Sequence, residues 1–72
     1  MKISFEHVQK AYNEVERRLE LDVSYGALPT EYEYIERRNA MLQGVYSTLM
    51  MLSDNWPETR SFCDRVEQER KY

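Results

Sequence analysis

The sequence predicts an all-α protein: an antiparallel hairpin of two long helices followed by a short C-terminal third helix, dimerising into a helical bundle. Three observations carry this expectation. Apolar residues recur at helical spacing over two long segments, and helix-start and helix-stop residues stand at the ends of those segments. The third is the stretch from Ala40 to Leu52, which carries no charge in a chain that is 32% charged. Read as a helix, that stretch is apolar or small around nearly its whole circumference, so water is not its main neighbour. It is too short to cross a bilayer, which takes ~20 apolar residues. It is expected to form the central element of the bundle, packed by its own chain and by a second molecule.

Helix one is expected over about residues 4–25. Ser4 can cap it, and Phe5, Val8, Tyr12, Val15 and Leu19 then follow at alternating spacings of three and four, a narrow heptad-like seam. The opposite face is polar, with Glu6–Lys10 and Glu14–Arg18 at i,i+4. Gly26 suits a left-handed helix end, and Pro29 follows where a helix does not readily continue.

Helix two is expected over about residues 31–53. Thr30-Glu31-Tyr32-Glu33 has the form of a capping box, in which Thr30 and Glu33 satisfy each other's backbone donors. One seam reads Tyr32, Ile35, Asn39, Leu42, Tyr46, Leu49, and a second reads Tyr34, Met41, Val45, Leu52. Together they span roughly half the circumference at about 100° per residue, more than one antiparallel neighbour buries. Asp54-Asn55-Trp56-Pro57 breaks the chain again, with Pro57 suited to the first turn of a helix over about residues 57–70. Phe62, Cys63 and Val66 are its apolar patch, and Trp56 is expected to fold over the end of the hairpin. The run Tyr12-x-x-Val15-Glu16-Arg17-Arg18 echoes Tyr32-x-x-Ile35-Glu36-Arg37-Arg38, but the match fades outside those positions and reads as chance.

The 72 residues make one domain, 1–72. At this size only ~60% of the unfolded chain's surface is buried on folding, and small scaffolds lean on disulfides, metals, idealised packing or oligomerisation. Cys63 is the one cysteine and His7 the one histidine, so neither a disulfide nor a metal centre is expected, and no cofactor motif appears. Helix packing and self-association remain. A net charge of −3 argues against a general nucleic-acid-binding surface, which carries a basic excess. Met1-Lys2-Ile3-Ser4 runs straight into an amphipathic pattern without an apolar leader, and a lone thiol fits a reducing compartment, so a cytoplasmic location is expected.

Catalysis is not expected. His7 reads as an exposed histidine beside a cap, and Cys63 as a small buried apolar residue. If the first two helices turn about residues 27 and 28, Arg17 and Arg38 fall at the same level. Arg38 then reaches Glu16 or Glu20 across the seam, and Asn39 beside it fixes register at some cost in stability.

The doublets Arg17-Arg18 and Arg37-Arg38 could form a basic patch, but each is flanked by glutamates. Six tyrosines are many for this length, and Tyr25, Tyr32 and Tyr34 fall around the first turn. Tyrosine is an efficient contact residue, apolar in its body and polar at its tip.

Gly44 costs roughly 1 kcal/mol mid-helix relative to alanine, and with Ala40 and Ser47 it makes a strip of small residues that lets another backbone approach. The expected contact residues, for a homodimer or another protein, are therefore Ala40, Met41, Gly44, Val45, Thr48, Met51 and Leu52 with Tyr25, Tyr32 and Tyr34.

The functional expectation is a non-catalytic module that regulates, inhibits or helps assemble a larger partner. The format, without any family motif, is that of bacteriophage and prophage accessory proteins. The alternative is a nucleic-acid-associated regulator whose arginine patch forms on dimerisation. The two seams make a direct prediction. Leu42→Asp or Leu49→Asp should unfold the protein, whereas Val45→Asp or Gly44→Leu should disturb association and leave helicity largely intact, as read by circular dichroism.

Overall fold

The computed structural model describes residues 1–70, among which the ordered elements are three helices: α1 (Phe5–Ser24), α2 (Glu31–Leu52) and α3 (Trp56–Glu69). Each boundary has a local cause. Ser4 is extended and caps α1: its Oγ accepts from the His7 N–H at 3.3 Å. In return, His7 Nδ1 accepts from the Ser4 N–H at 3.1 Å. Histidine thus closes a reciprocal capping box where Glu or Gln is usual. The bond needs an unprotonated Nδ1, so the proton of the neutral ring sits on Nε2.

At the other end Gly26 takes φ +74°, a conformation that costs glycine nothing. The Gly26 N–H donates to the Val23 carbonyl at 3.0 Å and the Ala27 N–H to the Asp22 carbonyl at 2.9 Å. These are the two bonds of a Schellman motif.

Thr30 starts α2 by accepting the Glu33 N–H at 3.1 Å, and Glu31 and Glu33 place negative charge at the positive end of the helix dipole. The helix stops at Ser53, which is extended. In α3 Pro57 occupies the first turn, and Asn55 Nδ2 donates to Glu58 Oε2 at 3.0 Å. Thr59 is buried, with its hydroxyl bonded to the Asn55 carbonyl at 3.1 Å and to Ser53 Oγ at 2.7 Å. Those bonds fasten α3 to the end of α2 without stranding a polar atom in the core.

The core joins all three helices in bundle-like contact, and α1 is its centre. Val8, Tyr12, Val15 and Leu19 of α1 are buried against Leu42 and Leu49 of α2 and Cys63 and Val66 of α3, with Ile3 and Leu28 closing the ends. Phe5 meets Phe62 edge to face at 5.9 Å, and the Arg65 guanidinium lies 4.1 Å over the Phe5 ring. Trp56 packs on this core, as its place at the helix junction suggested. The segment before α1 is tied to the α2–α3 turn, where the Asp54 N–H donates to the Met1 carbonyl at 3.0 Å.

Two expectations need correction. The uncharged stretch of α2 is not the central element. Only Leu42 and Leu49 of α2 are fully buried, because α3 lies against α1 and leaves the far side of α2 uncovered. The longer seam through Tyr32, Ile35 and Asn39 is not a core stripe either, since all three are exposed. At Tyr32 and Ile35 α2 has passed the end of the α1 stripe, whose last member is Leu19. Conversely Ile3, Leu28 and Thr59 join the buried set from outside any helical periodicity or from a polar residue type.

The capping box predicts a graded response at His7. His7→Ala should lower unfolding stability by about 0.5–1 kcal/mol, and His7→Glu should restore or raise it by a few tenths, since a carboxylate both caps and complements the dipole. Urea titrations of the three proteins would show the order.

Candidate functional site

The side of α1 and α2 that α3 leaves open is a groove. Ala11, Glu14, Val15 and Arg18 form one wall, and Met41, Gly44, Val45, Thr48 and Leu49 the other, around about 470 Å³. No residue of α3 lines it. A second depression of about 450 Å³ continues it toward the first turn, sharing Arg18 and Met41 and adding Leu21, Asp22, Tyr25 and Arg37. The apolar floor comes from helical spacing: Val15 and Leu49 turn one side to the core and the other to the groove. The Thr48 hydroxyl donates to the Gly44 carbonyl at 2.9 Å, so its polar end is spent within its own helix.

The rim carries the charge. Glu14 receives Arg17 at 2.6 Å and Arg18 at 3.2 Å, and these two guanidinium groups hold its carboxyl down at about 2. Asp22 meets Arg37 at 3.4 Å. On the α3 side Arg38 bonds both carboxylate oxygens of Glu67 at 3.1 Å, and Arg70 pairs with Glu16. Arg38 thus reaches α3, which brings Glu67 to its largely covered guanidinium. Asn39 and Glu20 are exposed, so Asn39 does not set register within this fold. Each member of the two arginine doublets faces a carboxylate, which weakens any basic patch.

The expected contact residues divide. Met41, Gly44, Val45 and Thr48 line the groove. Met51, 79% exposed, and Leu52, 45% exposed, extend the same uncharged helix by another turn. Ala40 lines a different depression, with Ala27, Leu28, Glu33, Glu36 and Arg37.

The tyrosines around the first turn have different surroundings. Tyr25 is 83% exposed at the end of the groove, Tyr32 is exposed with its hydroxyl on Glu36 at 3.0 Å, and Tyr34 packs on the core. Sequence reasoning missed the α1 wall. The signal was present in Ala11, a small residue one turn from Val15 on the flank of the heptad seam.

Reactive groups are placed differently. Cys63 is fully buried, and burial, with Asp64 and Glu67 nearby, pushes its thiol up to about 11, so it is not a thiolate near neutrality. His7 serves the cap. Among the described residues no group of three or more His, Cys, Asp or Glu is placed to hold a metal ion, and no helix is long and apolar enough to cross a membrane. No protein-family model, curated protein or solved structure matches the chain.

Gly44 gives the groove a direct test. A Cβ built there meets nothing within 4 Å. In dilute solution Gly44→Ala should therefore stabilise the isolated chain by about 0.5–1 kcal/mol through helix propensity alone, read as a higher urea midpoint.

Proposed function

We propose that this chain is a non-catalytic protein-binding module that regulates, inhibits or helps assemble a larger protein. In this reading α1 and α2 form an antiparallel hairpin, α3 buttresses one side, and the other side presents the binding face and self-associates through α2. The run of contacts supports the hairpin: Asp22 with Arg37, then Tyr12 with Tyr46, pair successive α1 positions with α2 positions in reverse order.

One observation carries the functional reading. Met41, Val45, Leu21 and Tyr25 line the groove and its continuation, and Met51 and Leu52 stand exposed at the end of the same uncharged helix, so that Leu21, Tyr25, Met51 and Leu52 leave apolar area to water. Scattered apolar side chains on a surface need no explanation, but a contiguous set with a charged rim marks an interaction face. Each Met or Leu fully covered there contributes about 1.5–3 kcal/mol to association. The paired arginines support binding to protein rather than to a phosphate backbone.

Affinity capture with the immobilised chain tests this. Wild type should retain a defined protein, and Met51→Asp or the pair Tyr25→Ser with Tyr32→Ser should reduce that retention with circular dichroism unchanged. Retention indifferent to both changes overturns the reading. So does salt-sensitive capture of nucleic acid that is lost from Arg17→Gln with Arg37→Gln, which would make the chain a nucleic-acid-associated regulator.

A further inference from the structure

We infer that the groove between α1 and α2 receives a helix of another protein, one whose apolar stripe is flanked along one side by carboxylates. The inference rests on the reading of this side of the molecule as a binding face, and adds the secondary structure and the charge of what binds there.

The walls set the secondary structure. Both are helices, so their backbone donors and acceptors are paired within each helix, and Thr48, the one hydroxyl on the α2 wall, donates to the Gly44 carbonyl. An extended peptide laid on such walls finds no ladder for its own N–H and C=O groups, whereas a helix arrives with them satisfied. The dimensions fit as well. From Ala11 to Tyr25 on α1 and from Arg37 to Leu49 on α2, the groove and its continuation run about 20 Å, close to four helical turns. Ala11 and Gly44, one on each wall, project little, and a Cβ on Gly44 would meet nothing within 4 Å.

Charge complementarity selects the partner. The chain as a whole is acidic, at −3, but the α1 rim of the groove is not. Lys10, Glu14, Arg17 and Arg18 fall on one stripe of α1 by helical spacing, and all four are exposed: three cations against one anion. That anion is fully used. Arg17 takes both oxygens of Glu14, through Nε at 3.0 Å and Nη2 at 2.6 Å. Arg18 is left a single bond, from Nε at 3.2 Å, and among the described residues neither of its Nη groups is bonded and Lys10 makes no ion pair.

Arg18 also lines both the groove and its continuation, midway between Ala11 and Tyr25, so its guanidinium stands at the centre of the site. The opposite rim offers nothing comparable: α2 is uncharged from Ala40 to Leu52, and Arg37 before it faces Asp22 at 3.4 Å. Surplus positive charge is thus confined to the α1 flank, and a helix seated here meets cations on one side only. Carboxylates two turns apart on that side come level with Lys10 and Arg18, which are about 12 Å apart along α1. A basic helix meets repulsion at the same two points.

Titration of the ¹⁵N-labelled full chain with three synthetic helical peptides, each about 16 residues long, tests the inference. They share one leucine stripe at three-four spacing and differ only at two flank positions two turns apart, filled with Glu, Gln or Lys. The amide signals of Ala11, Gly44 and Thr48 should shift. The Glu peptide should bind about tenfold more tightly than the Lys peptide at low salt, with the Gln peptide between them, and added salt should narrow the gap. Lys10→Gln with Arg18→Gln alters exposed side chains only, so circular dichroism should be unchanged while the three affinities converge to within about twofold. Gly44→Leu, which fills the groove, should weaken all three peptides alike.

Absence of binding by the Glu peptide, equal affinity for the Glu and Lys peptides, a preference that survives the double change, or shifts confined to other surfaces overturns the inference. So does a groove closed by a second copy, seen as Gly44 and Thr48 signals that move with protein concentration before any peptide is added. The broader reading fails separately. A protein captured through Met51, beside peptides bound without charge preference, defeats this inference alone. An acidic peptide held in the groove of a chain that retains no protein defeats only the broader reading.

Discussion

The bundle depends on the burial of one side chain, Tyr12, at the point where both other helices reach α1. Only 1% of it is exposed, yet it carries a hydroxyl that must be satisfied. Tyr46 of α2 satisfies it, oxygen to oxygen at 2.9 Å, and the Arg70 guanidinium lies 5.8 Å over the ring at the end of α3. Burial, and then the bond to Tyr46, hold the phenol above its ordinary ionisation range, so it remains a neutral partner. One residue thus locates α2 by a directional bond and gives α3 a surface to close upon. The neighbouring Val8, Val15 and Leu19 supply the nondirectional part of the same attachment.

This arrangement explains the open face. α2 and α3 each pack more extensively on α1 than on one another, so neither wraps the other. α2 fastens through Leu42 and Leu49, with Met41 and Val45 partly buried against the same core, and leaves Leu52 exposed. Surface ion pairs do little to offset the smallness of such a core, because exposed pairs contribute about 0–1 kcal/mol each. The Arg38–Glu67 pair, in which one guanidinium nitrogen donates to both carboxylate oxygens, is better sheltered and links α2 to α3. Further apolar burial is what the molecule lacks, and α2 is where it is available.

Much of this was legible in the chain because it is local. Ser4, Thr30, Gly26 and Pro57 mark helix ends through bonds made within a few residues, and the spacing of Val8, Tyr12, Val15 and Leu19 defines a face whatever lies opposite. His7 escaped notice as a cap because an imidazole nitrogen stands in for the usual carboxylate or amide. Ile3 and Leu28 escaped because single residues outside helices have no periodicity to reveal burial. Arg38 was recognisable as a long, partly covered cation, but its partner depended on where α3 came to rest. Of the candidate site, the α2 wall was visible as the absence of charge, and the α1 wall was hidden in an ordinary amphipathic pattern.

The sequence by itself determined three helices, their ends and the inner stripe of α1, since propensity, capping and periodicity act over one or two turns. Only the tertiary structure decided that α1 rather than α2 is central, that Glu67 of α3 meets Arg38, and that Tyr34 packs on the core while Tyr25 and Tyr32 stay exposed. Those outcomes turn on which side of the α1–α2 pair the third helix occupies. Either side would satisfy the same local rules, and the choice is made by contacts between residues far apart in the chain.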